Sequence, residues 1–308
     1  MSVAVSEELY APVSPGVELC YQTFGDADDE PLLLVMGLGG PMTWWDPELC
    51  SMLAQAGFFV VRYDNRDTGR STKLTGRVTR KALVKAFLGK GGRPPYTLDD
   101  MAGDAFGLMS HLGWDAAHVC GVSMGGMIAQ TMAIHEPSRV RSLTSIMSTL
   151  GKRSVGWQHP SMLPALIAKR GVGREAYVES SARTWKMIGS PGYPIDEAEV
   201  RARAEETYDR GVSASGVMRQ MMAVLTQPNR SRGLASLRVP TAVVHGSADK
   251  MVHVSGGRAT ARAIPGSELV VIDGMGHDTP RELFGTFTDI IRRTADRAAP
   301  VERKDRSA

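Results

Sequence analysis

The chain has 308 residues, 43% of them apolar, and a formal net charge of +3. That length suits one large core plus an inserted segment, while the small charge and the lack of any helix-turn-helix, zinc or RNA-binding pattern argue against a nucleic-acid partner. Cys20, Cys50 and Cys120 are odd in number and widely spaced, which argues against a disulfide scaffold or a metal site and for reduced thiols in the cytoplasm.

Met1 to Tyr10 carries Glu7 and Glu8 and has no long apolar core, so it does not read as a secretory signal. Nothing in the chain approaches the ~18 consecutive apolar residues of a membrane span. An antiparallel pair is expected near Ala4 to Tyr10 and Val17 to Thr23. Leu32 to Met36, bounded by Pro31 and Gly37, reads as a buried parallel strand. The glycine loop Met36-Gly37-Leu38-Gly39-Gly40 follows it; it lacks both the Lys-Ser/Thr ending of a phosphate-binding loop and the spacing of a dinucleotide fingerprint. After a strand at Phe58 to Tyr63 comes a turn crowded with opposite charges, Asp64, Arg66, Asp67 and Arg70. It reads either as a structural clamp or as part of the chemistry.

Lys73 to Pro95 holds Arg77, Arg80, Lys81, Lys85, Lys90 and Arg93, no acidic residue, and a short apolar face of Leu83, Val84, Phe87 and Leu88. Two readings stand: a solvated helix, or peripheral contact with an anionic membrane or substrate. Further strands are expected at Ala117 to Cys120, Ser142 to Met147, Thr241 to His245 and Leu269 to Ile272, alternating with helices, which implies a mostly parallel sheet covered on both faces.

The most informative segment is Gly121-Val122-Ser123-Met124-Gly125, entered from the strand at Ala117 to Cys120 and left through a small-residue, helix-compatible run, Met127 to Ile134. A sharp strand-to-helix turn strains the serine backbone and requires tiny residues two before and two after it, the pattern of a nucleophile elbow. Ser123 then needs a base and an orienting carboxylate, in the chain order serine, acid, histidine. Asp249 follows the strand Thr241 to His245, and His277 sits on the glycine-flanked loop Asp273-Gly274-Met275-Gly276 after the last strand. Asp273 is the competing acid, only four residues from the histidine. His245 lies inside its strand and reads as structural. The Met124 amide, at a helix N-terminus, and the Leu38 amide are the expected oxyanion donors.

From about 150 to 237 the alternation is interrupted by a segment that reads as helical throughout, an inserted lid. Met162, Leu163, Leu166, Trp185, Met187, Met218, Met221 and Met222 offer it a soft apolar lining, or else pack its helices onto the core. Met36, Gly37, Trp157, Met162, Trp185, Met218 and Met222 are the expected pocket residues. The expected organisation is a core of 1–149 and 238–297, the lid at 150–237, and a disordered tail at 298–308.

The glycine loop, the segment Tyr63 to Ser71, the elbow at Ser123, Asp249 in a Gly-x-x-Asp context and Gly276-His277 together resemble the α/β-hydrolase superfamily over roughly residues 17–296. There are two departures: Met36 stands where the oxyanion loop usually begins with histidine, and Asp67 replaces the first glycine of Asp-x-Arg-Gly-x-Gly-x-Ser. Both are similar to a bacterial subgroup containing the aclacinomycin methylesterase and related carboxylesterases. The resemblance implies an α/β-hydrolase fold, no cofactor and no metal, and a small-molecule ester as substrate. It leaves polyketide methyl-ester cleavage, lipid or thioester hydrolysis, haloperoxidase-like perhydrolysis and a non-catalytic receptor as rivals. Haloalkane dehalogenase and epoxide hydrolase chemistry would need an aspartate where Ser123 stands.

Overall fold

Apolar runs bounded by glycine and proline become the strands of a single sheet in the computed structural model, which describes residues 3–162 and 173–299. Strands β1 (Leu9–Ser14), β2 (Val17–Phe24), β3 (Glu30–Val35), β4 (Phe58–Tyr63), β5 (Ala117–Val122), β6 (Val140–Ile146), β7 (Thr241–Gly246) and β8 (Glu268–Ile272) lie in the order β1-β2-β4-β3-β5-β6-β7-β8. From β3 onward all neighbours are parallel, and β1 and β2 form the antiparallel edge.

The first strand begins later than the 4–10 expected. Ser14 pairs with Val17, so Pro15 and Gly16 form a two-residue turn that fixes the register, and pairing runs back from Ser14 only to Leu9. Upstream, Val5 makes a lone bridge to Phe24.

Period-2 alternation sends successive side chains of the central strands to opposite cores. Leu33, Val35, Val61 and Val119 join one cluster with residues of helices α3 (Leu98–His111) and α4 (Met124–His135). Leu32, Leu34, Val60 and Val122 join another, with residues of α1 (Pro47–Gln55) and α10 (Phe284–Ala295). Both faces of the sheet are therefore covered, as parallel strands require. The short basic helix α2 (Arg80–Phe87) sits apart from both cores.

Between β6 and β7 the chain leaves the sheet. Helices α5 (Arg174–Ile188), α6 (Glu197–Asp209), α7 (Ala214–Thr226) and the short α8 (Ser231–Ala235) occupy this insertion, with α5 packed on α6 and α7 packed on α2. Residues 151–159 are not helical as expected: turns at Gly151 and Gly156, both at positive φ, break them before a 3-10 turn at 160–162. Leu163 and Leu166 lie outside the described residues, as do residues 300–308 of the expected tail. Helix α9 (Ser255–Ala263) links β7 to β8.

Candidate active site

Ser123 stands at the junction of β5 and α4 with φ 55° and ψ −119°, a backbone region that costs a non-glycine residue of order 1–3 kcal/mol. The surrounding structure imposes it. The Ser123 amide donates to the Ile146 carbonyl at 2.9 Å, and Ser148 Oγ donates to the Ser123 carbonyl at 2.7 Å. A Cβ at Gly121 would lie 2.2 Å from the Gly125 carbonyl oxygen, and one at Gly125 would lie 2.0 Å from the Val35 oxygen, so the turn closes only with glycine at both places.

The strand ends carry the partners to this serine. His277 Nε2 is 2.9 Å from Ser123 Oγ, and His277 Nδ1 is 2.8 Å from Asp249 Oδ2. The other Asp249 oxygen accepts the Met251 and Val252 amides at 2.9 and 2.8 Å. His245, four residues upstream, places Nε2 3.4 Å from Asp249 Oδ2 and 2.7 Å from the Val252 carbonyl. Burial pushes the Asp249 carboxyl up, but the charges and hydrogen bonds of His277 and His245 outweigh it and hold the group well below the usual carboxylate range. The loop bearing His277 is tied to the insertion: the His277 amide donates to Ile188 O at 2.7 Å, and the Gly276 amide donates to Ser190 Oγ at 2.8 Å. Asp273 is turned elsewhere, its Oδ1 accepting Ser247 Oγ at 2.8 Å.

Of the expected oxyanion donors, Met124 follows the serine in sequence, and Leu38 follows Gly37 in the glycine loop. Met124 opens α4, where the first amides of a helix have no intrahelical acceptor. Gly37 lies against the serine, since a Cβ there would be 3.2 Å from Ser123 Cβ. The next amide, that of Leu38, has no acceptor among the described residues, whereas the Gly39 amide donates to Gln220 Oε1 at 2.8 Å.

The expected pocket residues divide into several groups. Trp185 packs edge-on to Trp44, 5.1 Å between centroids, and lines a cavity of about 300 Å³ with Trp44, Arg203 and Asp278. Met218 and Met222 pack with Val78, Ala82, Leu83 and Ala86 between α7 and α2. Trp157 is exposed and stacks on His253. Met36 and Met162 are buried. No cluster of His, Cys, Asp and Glu able to hold a metal occurs among the described residues.

Residues 30–280 match the family model of the alpha/beta hydrolase fold. The chain belongs to this family. It is 30% identical to the rhodomycin D methylesterase of Streptomyces sp. (strain C5) over 286 residues, covering 86% of this chain and 90% of that one. It is 27% identical to 3-oxoadipate enol-lactonase 2 of Acinetobacter baylyi, over 83% of this chain and 85% of the relative. The fold is also that of the enol-lactonase from Burkholderia xenovorans, at a TM-score of 0.70 and 23% identity, over 94% of this chain and 100% of that one.

Both departures from the α/β-hydrolase pattern have a local structural counterpart. In place of a loop histidine, Asn65 Nδ2 donates to the Met36 carbonyl at 2.9 Å, Asp64 accepts the Met42 amide at 2.7 Å, and Gln220 holds Gly39. Asp67 keeps the positive φ, 71°, and adds a carboxylate that receives Arg219 through two bonds of 2.7 and 2.8 Å and Tyr96 at 2.7 Å. Within the charged turn the Arg70 amide donates to Asp64 Oδ2 at 2.8 Å, but the side-chain charges pair outward: Arg66 binds Asp104 on α3, Asp64 binds Arg210 beyond α6, and Arg70 binds Glu8.

Gln220, fully buried, also donates to the Arg66 carbonyl at 2.8 Å and to Thr68 Oγ1 at 2.9 Å, so α7 is bonded to both the glycine loop and the charged turn. Gln220, His245 and Ser190 were not among the residues expected at this site. The available signal was a polar pair, Arg219-Gln220, inside an otherwise methionine-rich helix, and a histidine within an apolar strand.

Proposed function

We propose that the chain is a serine hydrolase that cleaves carboxylic esters of apolar small molecules through an acyl-enzyme on Ser123, with no metal or cofactor. The observation that carries this reading is the unbroken run Ser123 Oγ, His277, Asp249 at 2.9 and 2.8 Å, on an elbow that holds the serine strained. His277 takes the serine proton as Oγ attacks the carbonyl, and Asp249 fixes the imidazole tautomer and stabilises the imidazolium. The Leu38 and Met124 amides receive the oxyanion. His277 then gives its proton to the leaving alcohol, and water repeats the sequence to release the acid. Burial pushes the Cys20 and Cys50 thiols up to about 12, so neither competes as a nucleophile. The three free, buried cysteines support a cytoplasmic setting.

Methyl-ester cleavage on a polyketide is the narrower form of this reading, favoured by the 30% identity to a rhodomycin D methylesterase. A panel of activated esters varying in acyl length and alcohol bulk tests both forms. Bulky or medium-chain apolar esters, and methyl esters of polycyclic acids above all, should turn over faster than acetates. A steep preference for acetate counts against the apolar substrate, and the absence of an initial burst of alcohol from any activated ester counts against the acyl-enzyme.

Gln220→Leu should lower kcat by about tenfold with KM little changed, because freeing the Gly39 amide loosens the Leu38 donor beside it, and full loss of such a donor costs on the order of 10²–10³. Stability should fall by roughly 1–3 kcal/mol, since the Gly39 and Thr68 groups lose a buried partner. Steady-state kinetics well below the melting temperature separate the two effects, and a wild-type kcat would release Gln220 from any part in positioning.

A further inference from the structure

We infer that the basic segment from Arg77 to Arg93 is a docking surface for an anionic lipid bilayer. One face of α2 is occupied: Val78 and Ala86 are buried with Met222 of α7, and Ala82 and Leu83 pack beside them. The other is not. Val84 and Phe87 are each 59% exposed and Leu88 63%, three large apolar side chains within five residues. Arg77, Arg80, Lys81, Lys85, Lys90 and Arg93 surround them, all exposed, and among the described residues none has an acidic group within ion-pair distance.

On the helices between β6 and β7, by contrast, several surface cations are matched: Arg174 pairs with Asp209, Lys186 with Glu197 and Arg201 with Glu179. The C-terminal turn of α2 is also tied down, because Arg153 donates to the Ala86 and Phe87 carbonyls. A packed helix is thus left presenting apolar side chains inside an unneutralised ring of positive charge.

Charge decides the occupant. A second copy of this face would bring like charges together, and a soluble anion would leave Val84, Phe87 and Leu88 in water. An anionic bilayer answers both demands, since phosphate headgroups meet the cations while the apolar tips enter the acyl boundary. The docked helix would lie one helix away from the candidate site, because α2 packs on α7 and α7 carries Gln220. The inference itself rests on α2 and stands whether or not the hydrolase reading does.

Co-sedimentation of the full chain with vesicles tests it, using phosphatidylcholine alone against phosphatidylcholine mixed with phosphatidylglycerol. The chain should pellet with the anionic vesicles, stay largely free with the neutral ones, and be released by salt. Each cation near such a surface contributes about fivefold to the partition, so Lys81→Glu with Lys85→Glu should lower it by more than about 25-fold. Phe87→Ser with Leu88→Ser should lower it by at least about tenfold. Both double variants alter exposed side chains and should keep the melting temperature and the turnover of a soluble ester. Equal retention on the two vesicle types overturns the proposal, as do folded variants that bind like the wild type. So does a wild-type dimer on gel filtration that Phe87→Ser turns into a monomer.

Discussion

Ser123→Ala should lower the turnover of an activated ester by a factor on the order of 10⁶ and leave the thermal melt nearly unchanged. The reason lies in what the side chain does in the folded state. The bonds that hold the elbow are those of the backbone, from the Ser123 amide to Ile146 O and from Ser148 Oγ to the Ser123 carbonyl, and alanine retains both. Alanine has the same Cβ as serine, so the strain at φ 55° is also unchanged. What is lost is Oγ, whose only described hydrogen-bond partner is His277 Nε2. His277→Ala should cost turnover by a similar factor, since residues acting as one unit do not lose activity additively. A double variant much slower than either single one would mean that the two act independently, and wild-type-like turnover in Ser123→Ala would sink the proposed mechanism.

The parts of this molecule that could be read from sequence are those with a local signature. Leu32 to Val35 is apolar on every residue because both faces of a parallel strand are buried. The elbow declares itself because a turn that tight admits only glycine at 121 and 125. Chain order after the elbow then selects Asp249 and His277, since each follows the end of a strand in a sheet whose loops gather along one edge. Gln220 could not be found this way: its partner Gly39 lies 181 residues upstream, and a side chain crossing from an insertion to a loop leaves no periodic trace. The hold that Asp67 has on Arg219, over 152 residues, is hidden for the same reason. The start of β1 differs from the expected one because alternation alone does not show where pairing stops: the turn at Pro15 and Gly16 fixes the register, and upstream of Leu9 only the lone Val5–Phe24 bridge remains. The basic segment at 73–95 stayed ambiguous because sequence gives the charges of α2 without saying which of its apolar residues are already covered.

The choice of acid can be decided with two substitutions that differ in one oxygen each. Asp249→Asn should keep the fold and lower turnover by about 10⁴. Oδ1 of the asparagine can still accept the Met251 and Val252 amides, but its amide nitrogen then replaces Oδ2 opposite His277 Nδ1. A donor in that place requires the ring to present an unprotonated Nδ1, which moves the proton to Nε2, so the imidazole faces Ser123 Oγ as a donor and no longer as a base. The same nitrogen would also face His245 Nε2, which already donates toward the Val252 carbonyl. Flipping the amide relieves both conflicts only by turning its NH₂ against the two backbone amides. No orientation serves every partner. Asp273→Asn meets no such conflict, because an asparagine Oδ1 can accept Ser247 Oγ as the carboxylate does; its cost should be limited to stability, at most about 1 kcal/mol. Both variants can be assayed on one activated ester with thermal melts in parallel. If Asp273→Asn is the dead enzyme and Asp249→Asn remains active, the carboxylate that orients His277 in solution is not the one 2.8 Å from its Nδ1.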